Sequence, residues 1–449
     1  MGLEKLYDMA PIWVQNLMCS VKGWQIVRRR YGKGFYSELD ALENGAYAPQ
    51  KELEVFLETS KQVPYYSGLF TANKDKSGTE LLRLFPILTK TDVKTHLNEM
   101  VNKQCTEPQF MMRTSGTTGG GLVFPYTVRM ENKHWAVWWR YRRRLGINLD
   151  TWCGWFGGKR MIDPNNKRPP FWRINKPGRQ IMYSSLHLTP DTVAFFYKDI
   201  KERKLPWLHG YPSHIAKFAA LALDRGLGPL TDVKWVTTGA ENLVGNQVLL
   251  MEKMFPNALI RQHYGLMEGV ANISQDKEGK WYVDEDFAYV EFIPLENRPD
   301  KTTTDYVRCK IIGTGFSNPA FPLIRYDTGD IAEVVWKDVE GKRVLEVVKI
   351  EGRSSNIVKG PDGFEINEAR LSIILHDFNS IVEAQFVQHS LTDIELKIVK
   401  SSSYCEGDEK QLKKNIAECF DQRMNVRLVY VDESDRTKSG KLKLVVSEL

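Results

Sequence analysis

Cysteine is scarce and widely spaced in this 449-residue sequence, which contains six. None of the six forms a C-x-x-C pair, and this spacing argues against both a zinc ribbon and a disulfide framework. We therefore predict no structural zinc. A reducing compartment, the cytoplasm, is the simplest setting for a chain with so few thiols.

Long apolar runs are also lacking, so no transmembrane segment is expected, and the N-terminus has no signal-peptide pattern. Residues 10–30 combine apolar side chains with Arg28, Arg29 and Arg30. The preferred interpretation is an amphipathic helix that packs on its own domain. The alternative is weak peripheral contact with the inner face of the membrane.

A strong excess of one charge sign is lacking as well. Lys and Arg total 62 against 56 Asp and Glu, for a net charge of +6. Without a concentrated basic face, this mild excess argues against a nucleic-acid binder and leaves anionic small molecules as partners. The length allows two or three domains.

Lysine is missing from the most glycine-rich loop, Arg113–Gly121. Glycines that turn backbone N–H groups inward, together with three hydroxyl side chains, suit a triphosphate. A P-loop would end in Gly-Lys-Ser/Thr and lead directly into a helix. Here an extended segment, residues 122–126, follows, so we predict that the loop joins two strands. A plain turn is the alternative.

The order of the elements predicts an α/β fold. Residues 1–100 read as a helical N-terminal region, and strand, turn and helix then alternate, which predicts mainly parallel sheets flanked by helices. The strand 233–238 ends at Gly239-Ala240-Glu241, where such sheets collect ligands. Residues 207–213 read as a turn, and residues 287–294 and 306–314 as paired strands.

A polar, turn-rich segment at residues 351–356 predicts a domain boundary. We expect an N-terminal domain over 1–351 and a small, mobile α+β C-terminal domain over 352–449. The latter ends in a flexible, lysine-bearing turn at residues 435–443, for which a simple basic tail is the alternative.

A basic loop at residues 157–179, with interleaved aromatic side chains, suits an anionic or sugar-like ligand. A solvated loop without a ligand is the alternative. Two further turns carry carboxylates: His263–Glu268, and Arg325–Asp330, which reads as a tight turn able to accept hydrogen bonds from a ribose diol.

Four of these motifs, taken in order, resemble the adenylate-forming superfamily of acyl-CoA synthetases. They are Thr114–Gly119, Tyr264-Gly265-x-x-Glu268, Tyr326–Asp330, and Gly352-Arg353 followed by Ser439-Gly440-Lys441. Within the superfamily, Gly239-Ala240-Glu241 and the turn at residues 210–213 are similar to the phenylacetate-CoA ligase group. Its CapK-like branch, associated with surface-polysaccharide gene products, is the most similar.

The resemblance implies ATP and Mg²⁺ as cofactors and a set of site residues. The catalytic residues would be Lys441, Glu268 and Thr118, with Glu268 holding the metal. The ATP- or AMP-binding residues would be Ser115, Gly116, Thr117, Thr118, Gly119, Gly239, Ala240, Glu241, His263, Tyr264, Gly265, Asp330 and Arg353.

The resemblance also implies a C-terminal domain that swings between two half-reactions about a hinge two residues after Arg353. Relatives usually have aspartate there, whereas this chain has Ser355. The implied activity is ATP-dependent adenylation of a carboxylic acid followed by acyl transfer, with the CoA thiol ranked first as acceptor. Amide or ester formation on a sugar acid, amine or glycan precursor is the alternative. A non-catalytic nucleotide-binding homologue is the alternative of another class.

Overall fold

The computed structural model describes residues 3–114, 121–295, 306–339, 342–353, 356–421, 423–437 and 440–449. The chain forms two compact units. The first unit comprises Met1–Ile26, Asp150–Gln262 and Ser354–Leu449, and the second comprises Val27–Leu149 and His263–Arg353.

Thirteen α-helices lie within the described ranges. They are α1 (Leu3–Met9), α2 (Ile12–Arg30), α3 (Lys33–Glu43), α4 (Pro49–Ser60), α5 (Pro64–Ala72), α6 (Gly78–Leu82), α7 (Lys90–Thr95), α8 (Val128–Arg144), α9 (Val193–Glu202), α10 (Pro212–Asp224), α11 (Gly245–Met254), α12 (Glu368–Ile374) and α13 (Glu406–Phe420).

Twenty β-strands lie within the same ranges. They are β1 (Gln109–Arg113), β2 (Val123–Thr127), β3 (Cys153–Phe156), β4 (Trp172–Asn175), β5 (Gln180–Tyr183), β6 (Trp207–Gly210), β7 (Trp235–Gly239), β8 (Leu259–Gly265), β9 (Asn272–Gln275), β10 (Trp281–Val283), β11 (Ala288–Pro294), β12 (Val307–Gly315), β13 (Tyr326–Val339), β14 (Lys342–Arg353), β15 (Ile357–Lys359), β16 (Glu365–Asn367), β17 (Ile381–Gln388), β18 (Asp393–Lys400), β19 (Asn425–Tyr430) and β20 (Val445–Ser447).

The first unit contains a parallel sheet in the order β7-β6-β3-β5, with β4 added antiparallel at its edge. Helices α9, α10 and α11 supply apolar side chains to its core, and α10 is buried along most of its length. The predicted α/β class is therefore confirmed.

Residues 207–210 form strand β6, so their reading as part of a turn was wrong; this short strand is flanked by glycine and proline, which favour turns.

The C-terminal residues of the same unit form a sheet in the order β19-β18-β17-β20, on which α12 and α13 pack around their own apolar core. The sequence predicts helices at residues 367–377 and 409–424 and strands at 382–388, 395–400 and 426–431. These five elements correspond to α12, α13, β17, β18 and β19, each within a few residues of its expected position. Strand β20 was missed because its three residues are too few to show an alternating pattern.

The second unit contains an antiparallel sheet in the order β11-β12-β13-β14 and the antiparallel pair β1-β2. The pairing of β11 with β12 confirms the two predicted strands. Residues 326–330 begin the long strand β13, so the predicted tight turn was wrong. Gly329, at φ +73°, supplies a local irregularity within that strand.

The boundary at residue 351 and the mobility of the C-terminal domain stay predictions. The structure adds that residues 354–449 and 150–262 lie in one compact unit. No helix within the described ranges is both long and apolar enough to cross a membrane.

Candidate active site

The carboxyl end of strand β7 holds a backbone conformation that alanine rarely adopts. Ala240, directly after the strand, has φ +67°, in the left-handed region where a Cβ atom is unfavourable. Such strain is concentrated at functional sites. The Ala240 carbonyl accepts a hydrogen bond from Lys441 Nζ at 2.9 Å.

Glu241, the next residue, fixes the backbone on both sides of this contact. Its Oε1 accepts from the Leu442 N–H at 3.0 Å and its Oε2 from the Ser213 N–H at 3.2 Å. Burial raises the pKa of Glu241, while the hydrogen bonds from Ser213 and the charges of Arg436 and Lys441 lower it. Two sequence motifs that lie 200 residues apart thus meet at this strand end.

We call residues 435–437 and 440–443 the lysine loop. Gln385 on β17 donates from Nε2 to the carbonyls of Asp435 at 3.0 Å and Lys443 at 2.9 Å, which ties the two arms of the loop together. The predicted flexible turn is therefore anchored at its base.

A buried ion pair holds the lysine loop against α10. Arg436 pairs with Glu383 of β17, and its Nη1 donates at 3.1 Å to both Ser213 Oγ and the Gly440 carbonyl. Lys217 Nζ lies 3.9 Å from Glu383 Oε2. We call Arg436, Glu383 and Lys217 the latch. The sequence contained no signal for it, because its members come from three separate segments.

His214 adds a neutral contact to the same loop. A carbonyl can only accept, so His214 Nε2 carries the hydrogen that bonds Gly440 O at 2.9 Å. Burial, aided by the charge of Arg436, lowers the pKa of His214 to about 3. Gly440 has φ +83°, and a Cβ there would lie 3.1 Å from the Cα of Gly158. Only glycine suits that position.

The second unit gathers another group of predicted site residues around Asp330. Tyr264 donates its hydroxyl to Asp330 Oδ2 at 2.8 Å, and Arg353 Nε lies 3.2 Å from Asp330 Oδ1. Arg353 Nη1 also donates to the Thr328 carbonyl at 2.8 Å. Burial raises the pKa of Tyr264, and the nearby Asp330 carboxylate raises it further. The carboxylate is thus oriented by an aromatic hydroxyl and a guanidinium.

Glu268 is the carboxylate on which the resemblance places Mg²⁺. Burial raises the pKa of Glu268, while Lys90 and Arg353 lower it. Among the described residues, no group of three or more His, Cys, Asp or Glu side chains could hold a metal ion. A single carboxylate fits Mg²⁺, which keeps water ligands and completes its shell with substrate phosphates. The donor set is therefore compatible with a metal that arrives with ATP.

His263 is held by the protein itself. Its Nε2 lies 2.7 Å from Asn272 Oδ1, and burial lowers the pKa of His263 to about 3. Asn272 in turn donates to Asp284 Oδ2 at 2.5 Å, and Arg140 donates to Asp284 Oδ1 at 2.6 Å. The sequence favours a helix in which Arg140, Arg142, Arg143 and Arg144 solvate the outer face. That prediction was wrong for Arg140 and Arg142, which are buried. The acidic partners of Arg140 lie more than 140 residues away in the sequence.

The phosphate-loop residues Ser115, Gly116, Thr117, Thr118 and Gly119 lie outside the described residues, as does Ser355. The strands on either side of the loop, β1 and β2, pair antiparallel, which confirms that the loop joins two strands. At its base, Thr114 and Leu122 exchange two hydrogen bonds of 2.9 Å, one of them through Thr114 Oγ1.

The basic segment at residues 157–179 uses several of its cations internally. Arg173 is buried and donates to Gln15 Oε1 at 2.5 Å, while Arg160 pairs with Asp8 at 2.5 Å. These two guanidinium groups hold the N-terminal helices. They therefore do not supply a ligand-facing charge.

Comparisons with known proteins give a family match for the C-terminal residues and a full-length relative. Residues 358–448 match the family model of the CapK C-terminal domain. The chain is 24% identical to Protein CapK of Staphylococcus aureus in an alignment of 473 residues that covers 100% of both proteins.

The fold is similar to that of 2-hydroxyisobutyryl-CoA ligase. Its structure in the postadenylation state, in complex with R3-HIB-AMP, superposes with a TM-score of 0.65 at 15% identity, covering 89% of each chain. Its structure with 2-HIB-AMP and CoA in the thioesterification state gives a TM-score of 0.51 at 17% identity, covering 89% of this chain and 88% of that one. The likeness to both is a likeness of fold.

Together, these matches confirm the predicted similarity to CapK, and they show a fold similar to that of 2-hydroxyisobutyryl-CoA ligase.

Proposed function

From this resemblance to the CapK-like group of adenylate-forming enzymes, we propose that the protein is an ATP-dependent ligase. It adenylates a small-molecule carboxylic acid and transfers the acyl group to an acceptor. The observation that carries the proposal is the contact of Lys441 with Ala240, because it brings a cation to a strained strand end in a sheet of the ligand-binding type.

In the first half-reaction, a carboxylate oxygen of the acid attacks the α-phosphorus of ATP. A new O–P bond forms, the bond to the β-phosphate oxygen breaks, and pyrophosphate leaves. Lys441 would lie beside the carboxylate and the α-phosphate, where negative charge concentrates in the transition state.

Other residues would bind the nucleotide in the roles that the resemblance gives them. Gly239, Ala240 and Glu241 would line the adenine and acyl pockets, and Asp330, oriented by Tyr264 and Arg353, would accept hydrogen bonds from the ribose. Residues 115–119 would cradle the β- and γ-phosphates. Glu268 would hold Mg²⁺, which would offset the phosphate charge when bound.

In the second half-reaction, a nucleophile attacks the acyl carbon and AMP leaves with the electrons of the broken C–O bond. We rank the CoA thiol first as the acceptor, with its proton released on attack. The internal pairing of Arg160 and Arg173 supports this order, since it removes two cations from the loop that would favour a sugar acid.

An amine or hydroxyl of a glycan precursor is the second candidate acceptor. The full-length similarity to CapK favours it. Loss of free CoA thiol, measured against amide or ester product by mass spectrometry, distinguishes the two. A reaction that consumes acid and ATP only when an amino sugar is present would reject CoA.

Exchange of labelled pyrophosphate into ATP tests adenylation without knowledge of the acceptor. We expect exchange with at least one acid from a panel of aryl, acyl and sugar acids. Absence of exchange with every acid, together with ATP binding that is undisturbed in Lys441→Ala, would instead indicate the non-catalytic nucleotide-binding homologue.

A further inference from the structure

Helix α2 is inverted relative to an ordinary surface helix, because its polar side faces the protein and its apolar side faces outward. The inward side carries Gln15, Asn16, Ser20 and Gly23, and the residues Gln15 and Gly23 are buried. A surface helix normally buries its apolar stripe instead.

The inward polar side is fixed by specific hydrogen bonds to strand β4 in the same unit. Asn16 Oδ1 accepts from the Ile174 N–H at 2.9 Å, and Ser20 Oγ donates to the Ile174 carbonyl at 3.1 Å. Gln15 accepts from Arg173 at 2.5 Å. A Cβ on Gly23 would lie 1.8 Å from Asn175 Oδ1, so the helix approaches β4 closely at this glycine.

The outward side forms a continuous apolar stripe with α1. Its members are each 50–75% exposed, and we name them the apolar stripe: Leu6, Met9, Trp13, Leu17, Val21 and Trp24. On α2 they recur at spacings of three and four residues, which places them on one face. Single exposed apolar side chains are ordinary, whereas a contiguous stripe indicates an interaction surface.

The charge around the stripe selects its partner. From Leu6 to Ser37 the one acidic residue is Asp8, which pairs with Arg160, whereas the same stretch has Lys22, Arg28, Arg29, Arg30 and Lys33. Arg29 and Arg30 pair with Glu131, and Lys22 is exposed. Two copies of this face would bring like charges together across a two-fold axis, and the one acidic residue of the stretch already has a partner within the chain.

We propose that the apolar stripe docks the protein on an anionic membrane surface. The helix lies in the plane of the bilayer, with Trp13 and Trp24 at the level of the headgroups and the basic residues facing anionic lipids. This inference does not depend on the reaction that the protein catalyses.

Sedimentation with lipid vesicles tests the proposal on the full chain. We expect wild-type protein to bind vesicles that contain about one third phosphatidylglycerol, and to bind pure phosphatidylcholine at least about fivefold more weakly. Trp13→Glu/Leu17→Glu should lose at least about tenfold in affinity, and Lys22→Glu about fivefold. The matched control is Ile373→Glu/Leu391→Glu, which places the same two negative charges on apolar side chains that are 65% and 49% exposed; it should bind like wild type.

Thermal unfolding by circular dichroism checks that each variant folds. Three results would overturn the proposal: no binding of wild type to anionic vesicles, equal binding to neutral vesicles, or unchanged binding of Trp13→Glu/Leu17→Glu. A wild-type dimer in sedimentation velocity that the double variant abolishes would assign the stripe to a contact between copies, and would overturn it as well.

Discussion

Replacing Arg436 by methionine should slow adenylation although Arg436 would touch neither substrate. The guanidinium pairs with Glu383, whose side chain is 2% exposed, and donates to Ser213 and to the Gly440 carbonyl beside Lys441. Methionine keeps most of the apolar stem and removes all three contacts. The lysine loop then loses its principal anchor on α10.

The cost can be estimated from the partner that is left behind. Removing one member of a buried ion pair costs about 3–5 kcal/mol, because the other charge stays buried. Lys217, at 3.9 Å from Glu383, remains as a weak partner, so we take the lower end, about 3 kcal/mol. If that cost falls on the docked state of the loop, kcat/KM for adenylation drops on the order of a hundredfold.

Pyrophosphate exchange measures this drop directly. Glu383→Gln/Arg436→Met removes both charges and should recover at least about tenfold of the loss, since the stranded carboxylate is gone. Arg423→Met removes an exposed guanidinium from the same C-terminal region and should change exchange by less than about twofold. Exchange by Arg436→Met within twofold of wild type, or a double variant as slow as the single one, would refute the latch.

Three further predictions concern single side chains. Tyr264→Phe removes the hydroxyl that donates to Asp330 and should raise KM for ATP about tenfold in the exchange assay. An unchanged KM would contradict the inference that Tyr264 orients Asp330 for nucleotide binding. His214 has its pKa lowered to about 3, whereas an unfolded imidazole titrates near about 6.5. Below pH ~6.5 the His214 imidazole binds a proton in the unfolded chain but not in the folded one. The free energy of unfolding is therefore highest above pH ~6.5, and it falls as the pH drops toward the pKa of His214 in the folded state. Urea titrations at pH 7.5 and 5.5 should show a loss about 1 kcal/mol larger in wild type than in His214→Gln; equal losses would contradict this. Ala240→Gly should raise the free energy of unfolding by about 1 kcal/mol because it relieves the positive φ, whereas Ala219→Gly in α10 should lower it by about 1 kcal/mol or more; changes of the same sign would contradict the strain at Ala240.

Local patterns were sufficient for much of the fold. The α/β class, the strands on either side of the phosphate loop, the β11–β12 pair and five C-terminal elements follow from periodicity and turn residues, which act over a few positions. The sequence around residues 85–93 predicts a helix capped by Thr89 or Thr91, and Thr89 forms a capping box with Asp92 at the start of α7. Such signals lie within a single turn and can be read directly from the sequence.

Long-range contacts were beyond the same reasoning. Arg436 and Glu383 are 53 residues apart, and Arg140 and Asp284 are 144 apart. A charged residue without an oppositely charged residue nearby in the sequence is predicted to face solvent. Its sequence neighbours do not indicate that a distant segment supplies a buried acidic partner. The sequence also did not predict which face of α2 contacts the protein, because its periodicity predicts an apolar face without indicating what that face contacts.

Exchange of pyrophosphate into ATP by wild type, Lys441→Ala and Lys443→Ala tests most directly whether Lys441 acts in the adenylation step. Both lysines lie in the lysine loop, and the Lys441 side chain donates a hydrogen bond to the Ala240 carbonyl. We expect acid-dependent exchange by wild type, a loss on the order of a hundredfold or more in Lys441→Ala, and near wild-type exchange in Lys443→Ala. Equal exchange by wild type and Lys441→Ala would contradict the account.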